Sequence, residues 1–274
     1  MDNEGNVNEQ YDIGNSASSW DGFRARYAAA DTEIALEVST TGKYVARKLR
    51  DMGFHTHMAD PSTLALIFRT AKKNDREDSY KLAKLLRLGE LPEVHLPSRY
   101  SDDLRSLVRY RRSLGENITM IKNRVHAILA SAGIRIDATD IFGKKGMKCI
   151  LGSADNISKA QRFVLADLLD QITYLMRKES MVEDEISRSV MNDRNVNLLM
   201  TIPGLGIYSS AASMAEIDDI SRFDSKEKLA AYAGLVPRQD QSGSRDMRGH
   251  ISRHWPYLSF LHCHLSSASP SEHS

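Results

Sequence analysis

A chain of 274 residues is long enough for two domains of ordinary size, and 41% hydrophobic with 27% charged residues is the composition of a globular protein. A net charge of +1 creates no global basic field, so any nucleic-acid-binding surface has to be local. No apolar run reaches membrane-spanning length, no leader pattern opens the chain, and Cys149 and Cys263 have neither zinc nor disulfide spacing; the sequence predicts a cytoplasmic protein with no membrane partner.

The chain opens on turn chemistry, Asp2-Asn3-Glu4-Gly5-Asn6, followed by a short extended run from Val7 to Ile13. A tight turn there implies a strand before it, so the sequence predicts that a first strand is missing; a mobile N-terminal tail is the simpler alternative. Trp20 to Ala30 suits a helix, and Ile34-Ala35-Leu36-Glu37-Val38 a short buried strand. A helix stopped by Gly53 follows, then a strand from Phe54 to Met58, and a helix from Thr63 to Ala71 started by Asp60-Pro61-Ser62. Strand–helix alternation of this kind predicts an α/β fold with a mostly parallel sheet, whose sites form at the carboxyl ends of strands. Glu37 lies near such an end. An acidic residue in an apolar strand is costly unless paired or ligating, which makes Glu37 a functional candidate; its plain alternative is exposure on an edge strand.

In Lys72-Lys73-Asn74-Asp75-Arg76-Glu77-Asp78-Ser79, Asn74 or Asp75 can cap a helix carrying Leu82, Leu85 and Leu86 at helical spacing. Asp75 and Asp78 then leave one face within the first turn. A divalent cation is one way to neutralise two such carboxylates; favourable interaction with the positive end of the helix is the other.

Gly89 and Pro92 close this region, and Pro97 opens a helical one. Leu104, Leu107, Leu114, Ile118, Ile121, Val125 and Ile128 fall on an alternating three–four spacing broken at Arg111. Leu165, Leu168, Ile172, Leu175, Val182 and Ile186 repeat it with Glu179 as the break. Two long helices joined through Gly143 and Gly146 predict an antiparallel hairpin or a dimerising coiled-coil arm. Arg109, Arg111, Arg112, Lys122 and Arg124 make the first helix locally basic, as a solvated face or a track for phosphates.

Farther on, Ile202-Pro203-Gly204-Leu205-Gly206 separates two short helical patterns. It resembles the helix-hairpin-helix module, in which Pro203, Gly204 and Gly206 would bring backbone amides to a phosphate; an ordinary αα-corner is the alternative. Gln241-Ser242-Gly243-Ser244-Arg245, with Arg248, His250 and Arg253 behind it, sets Ser242 among cations, as a nucleophile attacking a phosphodiester requires, although a Ser-Gly pair is also common in plain loops.

The combination resembles the DEDD transposases of the IS110 (IS116, IS902) insertion-sequence family. The similarity is carried by Ala35 to Tyr44, by Lys73 to Ser79 with the leucine run behind it, and by Ile202 to Gly206 with Arg222-Phe223, Leu229 to Pro237 and Gln241-Ser242-Gly243. That resemblance implies a RuvC-like, ribonuclease-H-like domain over residues 1–98, a coiled-coil arm over 99–192 and a helical transposase domain over 193–254. It implies four carboxylates holding Mg2+, of which Glu37, Asp75 and Asp78 are three, and Ser242 as a nucleophile acting on DNA. It also implies homodimers or larger oligomers, and in some members a guide RNA. Arg245 joins the expected nucleic-acid contacts.

Two departures follow. The family's first aspartate belongs on the strand before the Asp2–Asn6 turn, and Asp12 does not replace it. After Ser252-Arg253-His254 the sequence turns into a Ser/His-rich tail, 255–274, with the look of a shifted frame; its His262-Cys263-His264 has the wrong spacing for a metal site. The expectation is a transposase or recombinase by ancestry with impaired catalysis. The alternatives are a catalytically inactive DNA- or RNA-binding dimer and a Holliday-junction-resolvase-like nuclease; the Ser242 region argues against the last.

Overall fold

The computed structural model describes residues 1–68, 74–138, 140–153 and 157–234, and the backbone of 237–242 and 245–251. Two compact units divide the chain at residues 96 and 97.

In the first unit, helix α1 (Ala17–Arg26) and a single 3-10 turn lead to strand β1 (Glu33–Glu37). Helix α2 (Thr40–Asp51), strand β2 (His55–Ala59), helix α3 (Pro61–Ile67), helix α4 (Asp75–Leu88) and the two-residue strand β3 (Glu93–Val94) follow. The sheet has the order β1-β2-β3: β1 and β2 run parallel, as their helical crossover requires, and β3 closes one edge antiparallel. Each helix start is written in the sequence. Ser39 caps α2 through Gly42 N at 2.8 Å; Asp60 caps α3 ahead of Pro61; Asn74 caps α4. Gly42 is required sterically, because a Cβ there would stand 2.3 Å from the Glu37 carbonyl oxygen.

The extended run Val7–Ile13 does not join the sheet. Its side chains fasten it to the helices: Glu9 binds Arg26 at the end of α1 and Tyr27 just after it, and Gln10 donates to the Arg76 carbonyl of α4 at 2.7 Å. The turn before it forms as read, with Asp2 Oδ1 accepting from Asn6 N at 2.8 Å. The core of this unit gathers Trp20, Leu49 and Phe54 in one cluster and Ala46, Met58 and Leu96 in another, with Leu36 of β1 packed against both.

In the second unit, α5 (Arg99–Ser131) and α7 (Lys159–Val190) form the antiparallel hairpin. Their heptad positions face each other: Leu114, Ile118, Ile121 and Val125 are buried, as are Leu165, Leu168 and Ile172. The seam is satisfied within the chain. The glycine-containing link holds a helix of its own, α6 (Lys144–Ser153), whose Ile150 completes the distal core with Phe142 and Ile157. Gly146 permits that packing, since a Cβ there would meet the Ile141 backbone at 2.4 Å. Helices α8 (Arg194–Leu199), α9 (Ile207–Ile217) and α10 (Lys226–Tyr232) follow, then a hairpin of β4 (Pro237–Ser242) and β5 (Arg245–Ile251). Ser242, for which a plain loop is the alternative reading, thus lies in a strand, paired in register with Arg245. Lys72, Lys73, Gly243, Ser244 and the 252–274 tail with His262-Cys263-His264 lie outside the described residues.

Candidate functional site

The carboxylates come first. Glu37 is exposed at the carboxyl end of β1, opposite Ala59 of β2. Asp75 and Asp78 are both in the first turn of α4, where the helix dipole favours them. Lys81 Nζ stands 3.4 Å from Asp78 and 4.0 Å from Glu77, with its side chain 15% exposed. An ammonium thus stands beside two of the first-turn carboxylates, Asp78 and Glu77. Among the described residues no three acidic, histidine or cysteine side chains are grouped closely enough to hold a metal ion. Glu37, Asp75 and Asp78 are thus not gathered into a three-carboxylate cluster among the described residues.

The second site is built around α8 and α9. Leu205 is buried and anchors the turn, whereas Thr201 to Gly204 and Gly206 are exposed. Gly204 has φ +89°, a conformation open to glycine, and Gly206 is the N-cap of α9 with no side chain to accept from the first-turn amides. Those amides point out of the helix start with a partial positive charge, the arrangement that binds a phosphate oxygen. Asp193 caps α8 and accepts from Tyr100 Oη at 3.0 Å; burial, then this bond, pushes the Tyr100 phenol up to about 12.

Helix α9 is fastened along the first turns of α5. Asp218, with φ +59°, accepts from Ser98 N at 3.0 Å and Ser98 Oγ at 2.6 Å, which offsets its left-handed backbone. Arg105 donates to the carbonyls of Ala215 and Glu216 at the end of α9. Glu216, 2% exposed, pairs with Arg105 at 3.3 Å and Arg109 at 3.0 Å. Arg111, the break in one heptad series, meets Glu179, the break in the other, at 3.2 Å, and Glu183 at 2.6 Å. Its guanidinium lies 4.5 Å from the Tyr208 ring centroid. Burial works against the Arg111 charge, but the Glu183 hydrogen bond and both glutamate charges outweigh it, and its pKa is raised. Arg112 pairs with Glu116 one turn on.

Arg109, Arg111 and Arg112, expected to contact nucleic acid, thus each hold a carboxylate of this chain. Lys122 lies over the Phe142 ring, and Arg124 reaches Met120 Sδ. Ser242 ends β4 and is the register partner of Arg245, the first residue of β5. Sequence reasoning passed over Glu216, which sits in a run of small apolar residues; a lone acid there signals a buried pair.

Comparison with known proteins places both ends of the chain. Residues 1–134 match a model of DEDD transposases of the IS110 type, and residues 196–261 match the model described as "Transposase IS116/IS110/IS902 family". A protein described as "Probable family 20 transposase" from Pseudomonas aeruginosa is 24% identical over 228 residues, covering 80% of this chain and 65% of that protein. The "Transposase for insertion sequence element IS1111A" of Coxiella burnetii is 24% identical over 223 residues, 80% of this chain and 60% of the relative. The "Pilin gene-inverting protein" of Moraxella bovis is 45% identical over 51 residues, 19% of this chain and 16% of that one. The chain thus spans less than two thirds of the length of these relatives. Matched at both ends by transposase models of one insertion-sequence group, the chain belongs to the IS110-family DEDD transposases.

Proposed function

We propose that this chain acts on DNA as a transposase, holding the backbone at the Pro203–Gly206 turn and joining strands through Ser242. The single observation that carries this reading is the match of both ends of the chain to one transposase group. The geometry around α9 supports the binding half: an exposed glycine turn and a bare helix start offer amides to a phosphate without reading bases. In the joining half, the Ser242 hydroxyl oxygen forms a bond to phosphorus as one phosphorus–oxygen bond to sugar breaks. The serine proton goes to a base and the departing sugar oxygen takes up a proton. Arg245, its register partner, is the cation proposed to steady the developing charge. Magnesium at Glu37, Asp75 and Asp78, a guide RNA and self-association belong to this proposal as family expectations.

A second reading, a nucleic-acid-binding protein that does not join strands, is favoured by the Lys81 ammonium already beside Asp78 and Glu77. Incubating the purified chain with end-labelled element DNA and magnesium separates the two. A covalent protein–DNA band that survives denaturing electrophoresis and disappears in Ser242→Ala supports the joining reading. Binding without any such band supports the second, and a band that persists in Ser242→Ala refutes the role given to Ser242.

A further inference from the structure

The positive charge of this chain is unevenly placed. Between Met120 and Ala166 there are eight lysines and arginines against three aspartates, whereas the whole chain carries only +1. The described residues of that span belong to the distal end of the α5–α7 hairpin with α6 packed on it. The contrast with the proximal end is chemical as well as numerical. Arg105, Arg109, Arg111 and Arg112 are held by Glu216, Glu179, Glu183 and Glu116. Among the described residues no carboxylate pairs with Arg124, Arg135, Lys145, Lys148 or Lys159, all of which are exposed.

Two helices begin at this end, and neither has an acid in its first turn. Acidic side chains are favourable near the positive end of a helix, and basic ones add to a like charge. Here α6 starts at Lys144-Lys145 and α7 at Lys159, so the sequence stacks cations on positive helix ends. An external polyanion relieves that repulsion. Beside it, Phe163 is 77% exposed, one turn from Lys159 on the same face of α7. A ring left in water among cations suits base stacking, for which a single strand offers its base faces and a duplex does not.

We propose that the distal end of the α5–α7 arm is a docking surface for single-stranded DNA, with Arg124, Arg135, Lys145, Lys148 and Lys159 on the phosphates and Phe163 under a base. The proposal rests on the reading of this chain as a DNA-acting protein, and it adds a second contact region remote in the chain from the Pro203–Gly206 turn.

The test uses the full chain and anisotropy of a labelled oligothymidine of about 20 nucleotides, a duplex of the same length and an oligouridine, over a potassium chloride series. Phe163→Ala should weaken oligothymidine binding by roughly 5- to 150-fold and leave the duplex nearly unchanged. Lys145→Gln with Lys148→Gln should reduce the slope of log affinity against log salt by about 1.4 for the single strand. Both variants alter exposed side chains, and circular dichroism with a melting curve confirms that each is folded. Oligothymidine affinity within about twofold of wild type in Phe163→Ala overturns the stacking assignment. An unchanged salt slope overturns the phosphate assignment, and a strong preference for oligouridine overturns DNA as the partner. If the wild-type chain binds none of the three, the DNA reading fails together with the docking surface. If it binds them and the tip variants change nothing, the docking surface alone fails.

Discussion

Arg111 and Glu179 interrupt two apolar series that otherwise match, and in the folded chain each is the other's partner. Arg111→Met removes the cation and leaves Glu179 and Glu183 facing an apolar seam. Breaking one side of a fully buried pair costs roughly 3–5 kcal/mol, and an exposed pair contributes about 0–1. Arg111 is 28% exposed, Glu179 21% and Glu183 43%, so solvent screens part of the interaction. The single substitution should therefore destabilise the helical unit by about 1–3 kcal/mol, including the lost contact with Tyr208. Arg111→Met combined with Glu179→Met turns the break into an apolar layer and should recover most of that loss, giving a coupling energy of about 1–2 kcal/mol. Urea unfolding of the wild type, both single variants and the double variant, followed by far-ultraviolet circular dichroism, measures the cycle. Additive losses, or an Arg111→Met variant as stable as wild type, would refute the pairing of the two breaks as a device that sets the register of the hairpin.

Three other outcomes follow from the same geometry. Glu216→Gln leaves Arg105 and Arg109 without their buried counter-charge and should cost about 3 kcal/mol in urea unfolding, whereas Arg112→Gln, on an exposed pair, should stay within about 0.5. Asp60 is held below its ordinary 3.8 by the Thr63 hydroxyl and then the Thr63 amide, so its cap is fully effective above that value and is lost as pH falls through the lowered one. Asp60→Asn keeps an acceptor at the cap, and its melting temperature should fall less steeply than that of wild type as pH drops below about 4; parallel curves would remove Asp60 from the acid response. Lys81→Met strips the ammonium from Asp78 and Glu77, so magnesium chloride should raise its melting temperature more than that of wild type at matched ionic strength; equal shifts would leave these carboxylates without a cation-binding role.

The local elements were legible because their signals are local. Ser39, Asp60 and Asn74 cap the helices that follow them, and the three–four spacing of Leu114, Ile118, Ile121 and Val125 marks the buried face of α5. What the sequence hid depends on partners distant in the chain. Val7–Ile13 has strand-like composition, but Glu9 and Gln10 reach α1 and α4 instead of a neighbouring strand. The like charges of Asp75 and Asp78 on one helical face were visible, while the pairing of Asp78 with the Lys81 ammonium was not. The basic face of α5 has the same limit: periodicity shows which residues share a face, not that Glu216, Glu179 and Glu183 come to meet Arg109 and Arg111 from α9 and α7.

That division of labour along one helix has a consequence for how the chain meets a polyanion. A cation already paired with a carboxylate must break that pair to take a phosphate, so part of the phosphate contact is spent on replacing an existing one. Arg109 and Arg111 are in that position, and the Arg109 partner Glu216 is buried where no solvent ion replaces the lost counter-charge. Lys145, Lys148 and Lys159 break no internal pair among the described residues, so counterion release on phosphate binding is a net gain for them. The proximal arginines fix α9 and through it the exposed Pro203–Gly206 turn; the distal lysines keep their charge available to a ligand. Charge counted along the sequence puts Arg109, Arg111 and Arg112 in the basic face of α5 with Lys122 and Arg124; carboxylates of this chain take up the first three.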